Sequence, residues 1–170
     1  LKEIKMQLKQ LIEEYADSEI MRRQGIFASI FIIQNRLQTA CDKLDEEITM
    51  KQWLLLAMAG TTESPMSLTD LGRLMGCSRQ NVKKIAHSLE QKGFLRLERR
   101  EGDSRAVSIV LDERVKAYTD RVGEMQQSIL ELLFRGFSDD ETSVLYQGIM
   151  KLQENISEIE KYVEDRHGHI

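Results

Sequence analysis

From Ile26 the apolar side chains Ile30, Ile33, Leu37, Ala40 and Leu44 recur at alternating steps of four and three. That spacing lines one face of an α-helix and predicts a helix over residues 18–44 with this face buried. Ile4, Leu8, Leu11 and Ile12 repeat in the same way and predict a shorter leading helix within residues 1–16. A third helix starts at Thr49, where the hydroxyl can cap the first turn while Gln52 reaches back to the Thr49 amide. It should turn Trp53, Leu54, Leu56 and Ala57 inward and end near Gly60, before a loop at Ser64 and Pro65. Toward the C-terminus two stripes follow, Val115, Tyr118, Val122, Met125, Ile129 and Leu132, then Leu145, Ile149, Leu152, Ile156, Ile159 and Val163. Gly136, Phe137 and Ser138 separate them, and Ser138 with Glu141 forms a second capping box. Stripes this narrow on long helices suit packing against a few partner helices, of the same chain or of a second copy.

The middle of the chain has a different rhythm. Ser67 is placed to cap a two-turn helix with Asp70 in its first turn and Leu68, Leu71, Leu74 and Met75 on its apolar face. Gly76, Cys77 and Ser78 make a tight turn, and a helix over residues 79–92 buries Val82, Ile85, Ala86 and Leu89 before Gly93 closes it. Two short helices joined by a glycine turn form a helix-turn-helix, whose second helix lies in the major groove of DNA. Its outward residues have the matching chemistry: Arg79 can fork onto guanine, Gln80 and Asn81 can bond adenine, and Lys83 and Lys84 are placed for phosphates. After Gly93 the period falls to two. Residues 94–100 and the β-branched run 106–111 read as a hairpin whose loop, 101–105, carries the turn formers Gly102 and Asp103. A basic hairpin beside a recognition helix is a wing, and Arg99, Arg100 and Arg105 are its candidates for the adjacent minor groove. Asp103 and Arg105 also suit an ion pair that holds the loop together.

Charge sharpens this picture. Residues 67–111 hold nine basic and five acidic side chains, a net +4 within a chain of net −4, so the remainder carries −8. One basic segment in an acidic chain points to a polyanion met by that segment alone, with a solvated charged face as the alternative. At 170 residues, 41% hydrophobic and 31% charged, the chain is long and apolar enough for a core without disulfides or structural metal. Two cysteines form no disulfide framework, and the longest apolar stretch, residues 25–33, is too short to cross a bilayer. No signal peptide is visible, and a cytoplasmic location without membrane contact is expected.

Leu68 through Leu111, with Gly76, Ser78, Leu89-Glu90, Lys92-Gly93, Asp103 and Arg105, resembles the winged helix-turn-helix of the MarR-type transcriptional regulators. Ile48-Thr49 and Gln52-Trp53 resemble the preceding helix of that family. The resemblance implies a mainly α fold with a small β-hairpin wing. It divides the chain into N-terminal dimerisation helices (1–47), a winged helix-turn-helix (48–112) and C-terminal dimerisation helices (113–170). It also implies a homodimer that binds a pseudo-palindromic double-stranded DNA operator, usually as a repressor, and is released by a small aromatic or anionic ligand. Carried over to this sequence, the DNA-binding residues are Ser78, Arg79, Gln80, Asn81, Lys83, Lys84, His87, Arg99, Arg100 and Arg105, with Asp103 stabilising the wing. Phe27, Phe31, Met50, Trp53 and Met58 are the ligand-pocket candidates, although core packing explains the same five residues. Three positions depart from the family pattern: Leu97, often Arg; Asp112, often Thr; and Val115, often Gly. Leu97 removes a salt bridge at the wing base.

The remaining reactive side chains give little. Cys77, just before a helix N-terminus, has the place of a redox sensor but reads as a small hydrophobe in a turn, and Cys41 reads as core. His167 and His169 flank a glycine at the terminus, where a frayed tail accounts for them better than a metal does. No nucleophile–base pair, phosphate loop or metal-ligand spacing is present, so neither an enzyme nor a cofactor is expected. The competing class is a winged helix that binds protein. Such a module should expose apolar residues where this chain has Arg79, Lys83, Lys84 and Arg105.

Overall fold

The computed structural model describes residues 10, 18–62, 64–100 and 103–167, without the side chains of residues 100, 103–106 and 167. The leading helix expected over residues 1–16 falls outside the described residues except at residue 10. His169 and the side chain of His167 fall outside them too. The chain forms two compact units, residues 1–116 and 117–170.

In the first unit, helix α1 (Glu19–Leu44) starts where the Ser18 hydroxyl accepts the Met21 amide. Its predicted apolar face is present but not covered. No residue of α1 is buried, and Ile26, Ile30 and Ile33 are each about half exposed, because nothing among the described residues lies over them. Cys41 is likewise half-buried rather than core. Helix α2 (Met50–Ala59) has the expected Thr49–Gln52 capping box. Its buried face is Gln52, Leu55, Leu56 and Ala59, turned from the one anticipated; Trp53, Leu54 and Ala57 are only half-buried. The cause is Gln52, a polar residue that points inward because its Nε2 donates to Ser88 Oγ at 2.9 Å.

Strand β1 (Met66–Ser67), short helix α3 (Leu68–Leu74), helix α4 (Arg79–Gln91) and strands β2 (Leu95–Arg100) and β3 (Asp103–Leu111) complete the winged domain. The antiparallel sheet has the order β1-β3-β2, with Met66 opposite Ile109 and Leu97 opposite Ile109 on its other side. Two residues after Pro65 give too little pattern for β1 to be legible. The core is Leu55, Leu68, Leu71, Val82, Ala86, Leu89, Phe94, Leu95 and Ile109, all essentially inaccessible to solvent. Helices α2, α3 and α4 therefore meet the sheet around one apolar centre, which fixes the orientation of α4.

Helix α5 (Arg114–Leu133) begins at Asp112, whose Oδ1 accepts the Arg114 amide at 3.1 Å. The aspartate thus keeps the capping role a threonine would have there. Helix α6 (Asp139–His167) opens on Ser138: its Oγ accepts the Glu141 amide, and its own amide donates to the Glu141 carboxylate at 2.8 Å. Within the second unit Tyr118 and Val122 are buried, whereas Leu145, Ile149, Leu152, Ile156, Ile159 and Val163 remain 40–59% exposed along one face of α6.

Candidate nucleic-acid interface

The geometry of the site is set at the turn between α3 and α4. Ser67 caps α3, its Oγ accepting the Asp70 amide at 3.1 Å. Gly72, midway along this helix, is buried. A Cβ there would lie 2.7 Å from the Cys77 carbonyl oxygen, so only glycine lets the turn approach this closely. The Cys77 amide donates to the Gly72 carbonyl at 2.9 Å and completes the contact. Gly76 takes φ +62°, a left-handed conformation that reverses the chain at little cost. Ser78 then caps α4 by accepting the Asn81 amide at 3.2 Å. Cys77, half-buried in this turn, is held through its backbone.

Along α4 the two faces separate cleanly. Val82, Ala86 and Leu89 are buried, Ile85 is half-buried, and Ser78, Arg79, Gln80, Asn81, Lys83, Lys84 and His87 are exposed. The first turn thus presents donor and acceptor side chains together with the positive end of the helix dipole, a combination that favours anions.

The wing lies beside this face. Between α4 and the hairpin is an open cavity of about 440 Å³, lined by Arg79, Gln80, Lys83, His87 and Glu90 of α4, by Leu97 and Arg99 of β2, and by Leu68 and Val107. Its floor is apolar and its rim cationic. Asp112 donates its amide to the Phe94 carbonyl at 3.0 Å, so the hydrogen-bonded pairs of the hairpin fall at residues 94, 96 and 98. The Leu97 amide therefore points to the open edge of β2, where Glu90 Oε1 accepts it at 2.8 Å. Glu90 Oε2 also lies 3.3 Å from His87 Nδ1. The fastening between wing and recognition helix, expected to be weakened by a leucine at position 97, thus comes from a carboxylate on α4 to the backbone of that leucine. Sequence reading missed it; only the Leu89-Glu90 pair hinted at it. Arg99 is exposed, and Arg96 lies 3.8 Å from Glu98. The side chains of Arg100, Asp103 and Arg105 lie outside the described residues.

The five ligand-pocket candidates sit apart from this cavity. Phe27 and Phe31 are exposed on α1 and stack edge to face at 5.1 Å, and Met50, Trp53 and Met58 are half-buried on α2. Among the described residues no helix is long and apolar enough to cross a membrane, and no three His, Cys, Asp or Glu side chains gather where they could hold a metal.

Similarity to known proteins coincides with this architecture. Residues 48–107 match the MarR family model. A MarR/EmrR family transcriptional regulator from Acinetobacter sp. ADP1 superposes with a TM-score of 0.70 at 18% identity, over 80% of this chain and 97% of the other. A MarR transcriptional regulator from Methanosarcina mazei Go1 gives 0.72 at 20% identity, over 80% and 99%. Bordetella bronchiseptica BpsR, whose DNA binding is regulated by 6-hydroxynicotinic acid, gives 0.63 at 17% identity, over 75% and 98%. At these identities the superpositions establish the fold, a winged helix flanked by long helices, and the family match falls on the segment built from α2, the helix-turn-helix and the wing. Through that segment the chain is similar to the MarR family.

Proposed function

We propose that this protein is a sequence-specific double-stranded-DNA-binding transcriptional regulator that acts as a homodimer in the cytoplasm, a repressor released by a small aromatic or anionic ligand. The observation that carries the reading is the outward face of α4. Its exposed side chains include Arg79, Gln80, Asn81, Lys83, Lys84 and His87, all base-reading or phosphate-seeking, and none is apolar. A protein-docking module would place apolar anchors there. Arg79, Gln80 and Asn81 read base edges, Ser78, Lys83, Lys84 and His87 meet phosphates, and Arg99, Arg100 and Arg105 reach the minor groove from the wing.

The uncovered stripes of α1 and α6 support the dimer. Ordinary monomers do not leave apolar faces of this length in water, and pairing two copies would set the two recognition helices about 34 Å apart, one turn of B-DNA. A ligand acting from the surface around Phe27, Phe31, Met50, Trp53 and Met58 would change that spacing. The regulation of BpsR by 6-hydroxynicotinic acid supports an aromatic acid as the first class to test.

The test is fluorescence anisotropy with a labelled duplex from upstream of the protein's own gene and a scrambled control across a range of salt. Counterion release predicts a slope of log affinity on log salt of about −0.9 per phosphate neutralised, summed over both protomers. A flat salt response, or equal affinity for operator and control, would refute the reading. Quenching of Trp53 fluorescence by an aromatic carboxylate, weaker when operator is bound, is the expected signature of release, since linkage makes the two affinities change by one common factor.

A further inference from the structure

A second polar cluster lies on the far side of α4 from the exposed basic face. Lys92, the C-cap of α4, extends a half-buried side chain to the segment between α1 and α2. Its Nζ donates to the Glu47 carbonyl at 2.6 Å and to Gln52 Oε1 at 3.0 Å. Gln52 is 7% exposed and engaged at both ends of its amide: Oε1 also accepts the Thr49 amide at 3.0 Å, and Nε2 donates to Ser88 Oγ on α4. The segment itself is pinned. Asp45 Oδ1 accepts the Glu47 and Ile48 amides, and Asp42 Oδ1, in the last turn of α1, accepts the Met50 amide. Glu47 in turn receives Arg114 Nη2 on its carboxylate at 2.8 Å.

These bonds do something that apolar packing at the same place would not. Apolar contacts are non-directional, and neighbouring helices held by them alone can slide and rotate at small cost. An ammonium bonded to one carbonyl and one amide oxygen, with that amide bonded in turn to the neighbouring helix, has a single geometry. The cluster ties the last turn of α1, the start of α2 and the C-terminal half of α4 into one body. We infer that Lys92 is a positioning residue: together with Gln52 it fixes the angle between α1 and the recognition helix α4. The inference rests on the DNA-binding dimer proposed above. If α1 belongs to the dimer interface, this joint sets the spacing between the two recognition helices, and loosening it broadens the range of half-site spacings the dimer accepts.

The experiment uses the full chain and a duplex selected from random sequence by the wild-type protein, together with two derivatives carrying one base pair inserted or deleted at the centre. One base pair rotates a half-site by about a tenth of a turn, so wild type should lose about tenfold or more in affinity on either derivative. Lys92→Met, with its helical circular dichroism retained, should bind the selected duplex several-fold more weakly and distinguish the three by less than about threefold. Gln52→Glu keeps an acceptor for both Thr49 and Lys92 and, with the Ser88 hydroxyl turned to donate to the carboxylate in place of the lost amide donation, should preserve the wild-type spacing penalty. If Lys92→Met does not fold, Ser88→Ala removes only the bond from Gln52 to α4 and should show the same relaxation to a smaller degree. A variant that weakens all three duplexes by one factor would overturn the positioning role and leave a purely stabilising one. Selection that yields no bound duplex would overturn the DNA-binding reading itself, and this inference with it.

Discussion

Gly72→Ala tests whether the close approach at the helix-turn-helix turn sets the recognition helix. The added Cβ would lie 2.7 Å from the Cys77 carbonyl oxygen and 3.5 Å from the Arg79 amide nitrogen. A carbon–oxygen contact relaxes at about 3.3 Å, so the turn must open by roughly 0.6 Å. It cannot do so freely, because the Cys77 amide is bonded to the Gly72 carbonyl and Ser78 is bonded to the first turn of α4. Overpacking of this kind costs about 1–3 kcal/mol, while the better helix propensity of alanine returns about 0.5–1 kcal/mol. The expected net destabilisation is about 1–2 kcal/mol, a fall in melting temperature of about 3–6 °C for a chain of this size. The displaced residues are those that open α4, so operator affinity should fall further than the small loss of folded protein explains. Gly123→Ala, where a Cβ meets nothing within 4 Å, is the matched control and should be neutral or stabilising. Thermal unfolding by circular dichroism and operator titration of both variants decide the matter. Gly72→Ala as stable as wild type with unchanged affinity would show that the turn yields without cost and does not position α4.

Three further outcomes follow from the same structure. Arg79→Ala or Asn81→Ala should cost about 1–3 kcal/mol on the best operator and relax base preference at one position in each half-site, whereas Lys84→Ala should weaken all sequences alike; the reverse pattern in a binding-site selection would mean that α4 is oriented otherwise. Replacing Ile149 and Ile156, 50% and 45% exposed on the uncovered face of α6, with Asp should convert a dimer to monomers in sedimentation at micromolar concentration, each forfeiting roughly 1 kcal/mol or more of apolar burial per protomer; a wild-type monomer at that concentration would refute the assignment of this face. The Glu141 carboxyl is held below the usual carboxylate range, mainly by the Ser138 amide and then by its hydroxyl. Its stabilising contribution is therefore complete above the ordinary carboxylate value and is lost as pH falls through the lowered one. Ser138→Ala should raise the Glu141 midpoint in an NMR titration only part of the way, since the backbone amide remains, and an unmoved midpoint would count against the hydroxyl's share.

Which features were legible in the sequence follows from the range over which their causes act. Thr49, Ser67, Ser78 and Ser138 all cap helices as read, because a cap bonds an amide two or three residues away. The recognition helix was legible because its apolar and polar faces alternate without exception. Where the reading failed, the cause was a partner distant in sequence. The buried face of α2 was misjudged because Gln52, read only as a capping residue, also bonds Ser88, 36 residues on. Gly72 gave no signal, since the backbone it must clear belongs to the next turn. The acceptor role of Glu90 was not legible, since it depends on which amides of β2 face the sheet edge. The long stripes were legible as faces but not as buried ones, because burial there calls for a surface that the described residues do not supply.

The distribution of charge and the distribution of uncovered apolar surface lead to one arrangement. The +4 of residues 67–111 is offset by −8 elsewhere, so a polyanion approaching at random is repelled by most of the molecule and attracted by one segment. Within a Debye length of about 8 Å at physiological salt, that asymmetry orients the protein before any specific contact forms. The apolar stripes of α1 and α6 lie in the acidic remainder, outside the basic segment. Association through these stripes would not use the basic side chains themselves, and doubling the chain doubles the attraction for the same polyanion. A dimer built through the basic segment instead would bury like charges against one another and leave the stripes in water. The two costs act in the same direction, which is why the stripes and the recognition helix are assigned to different partners.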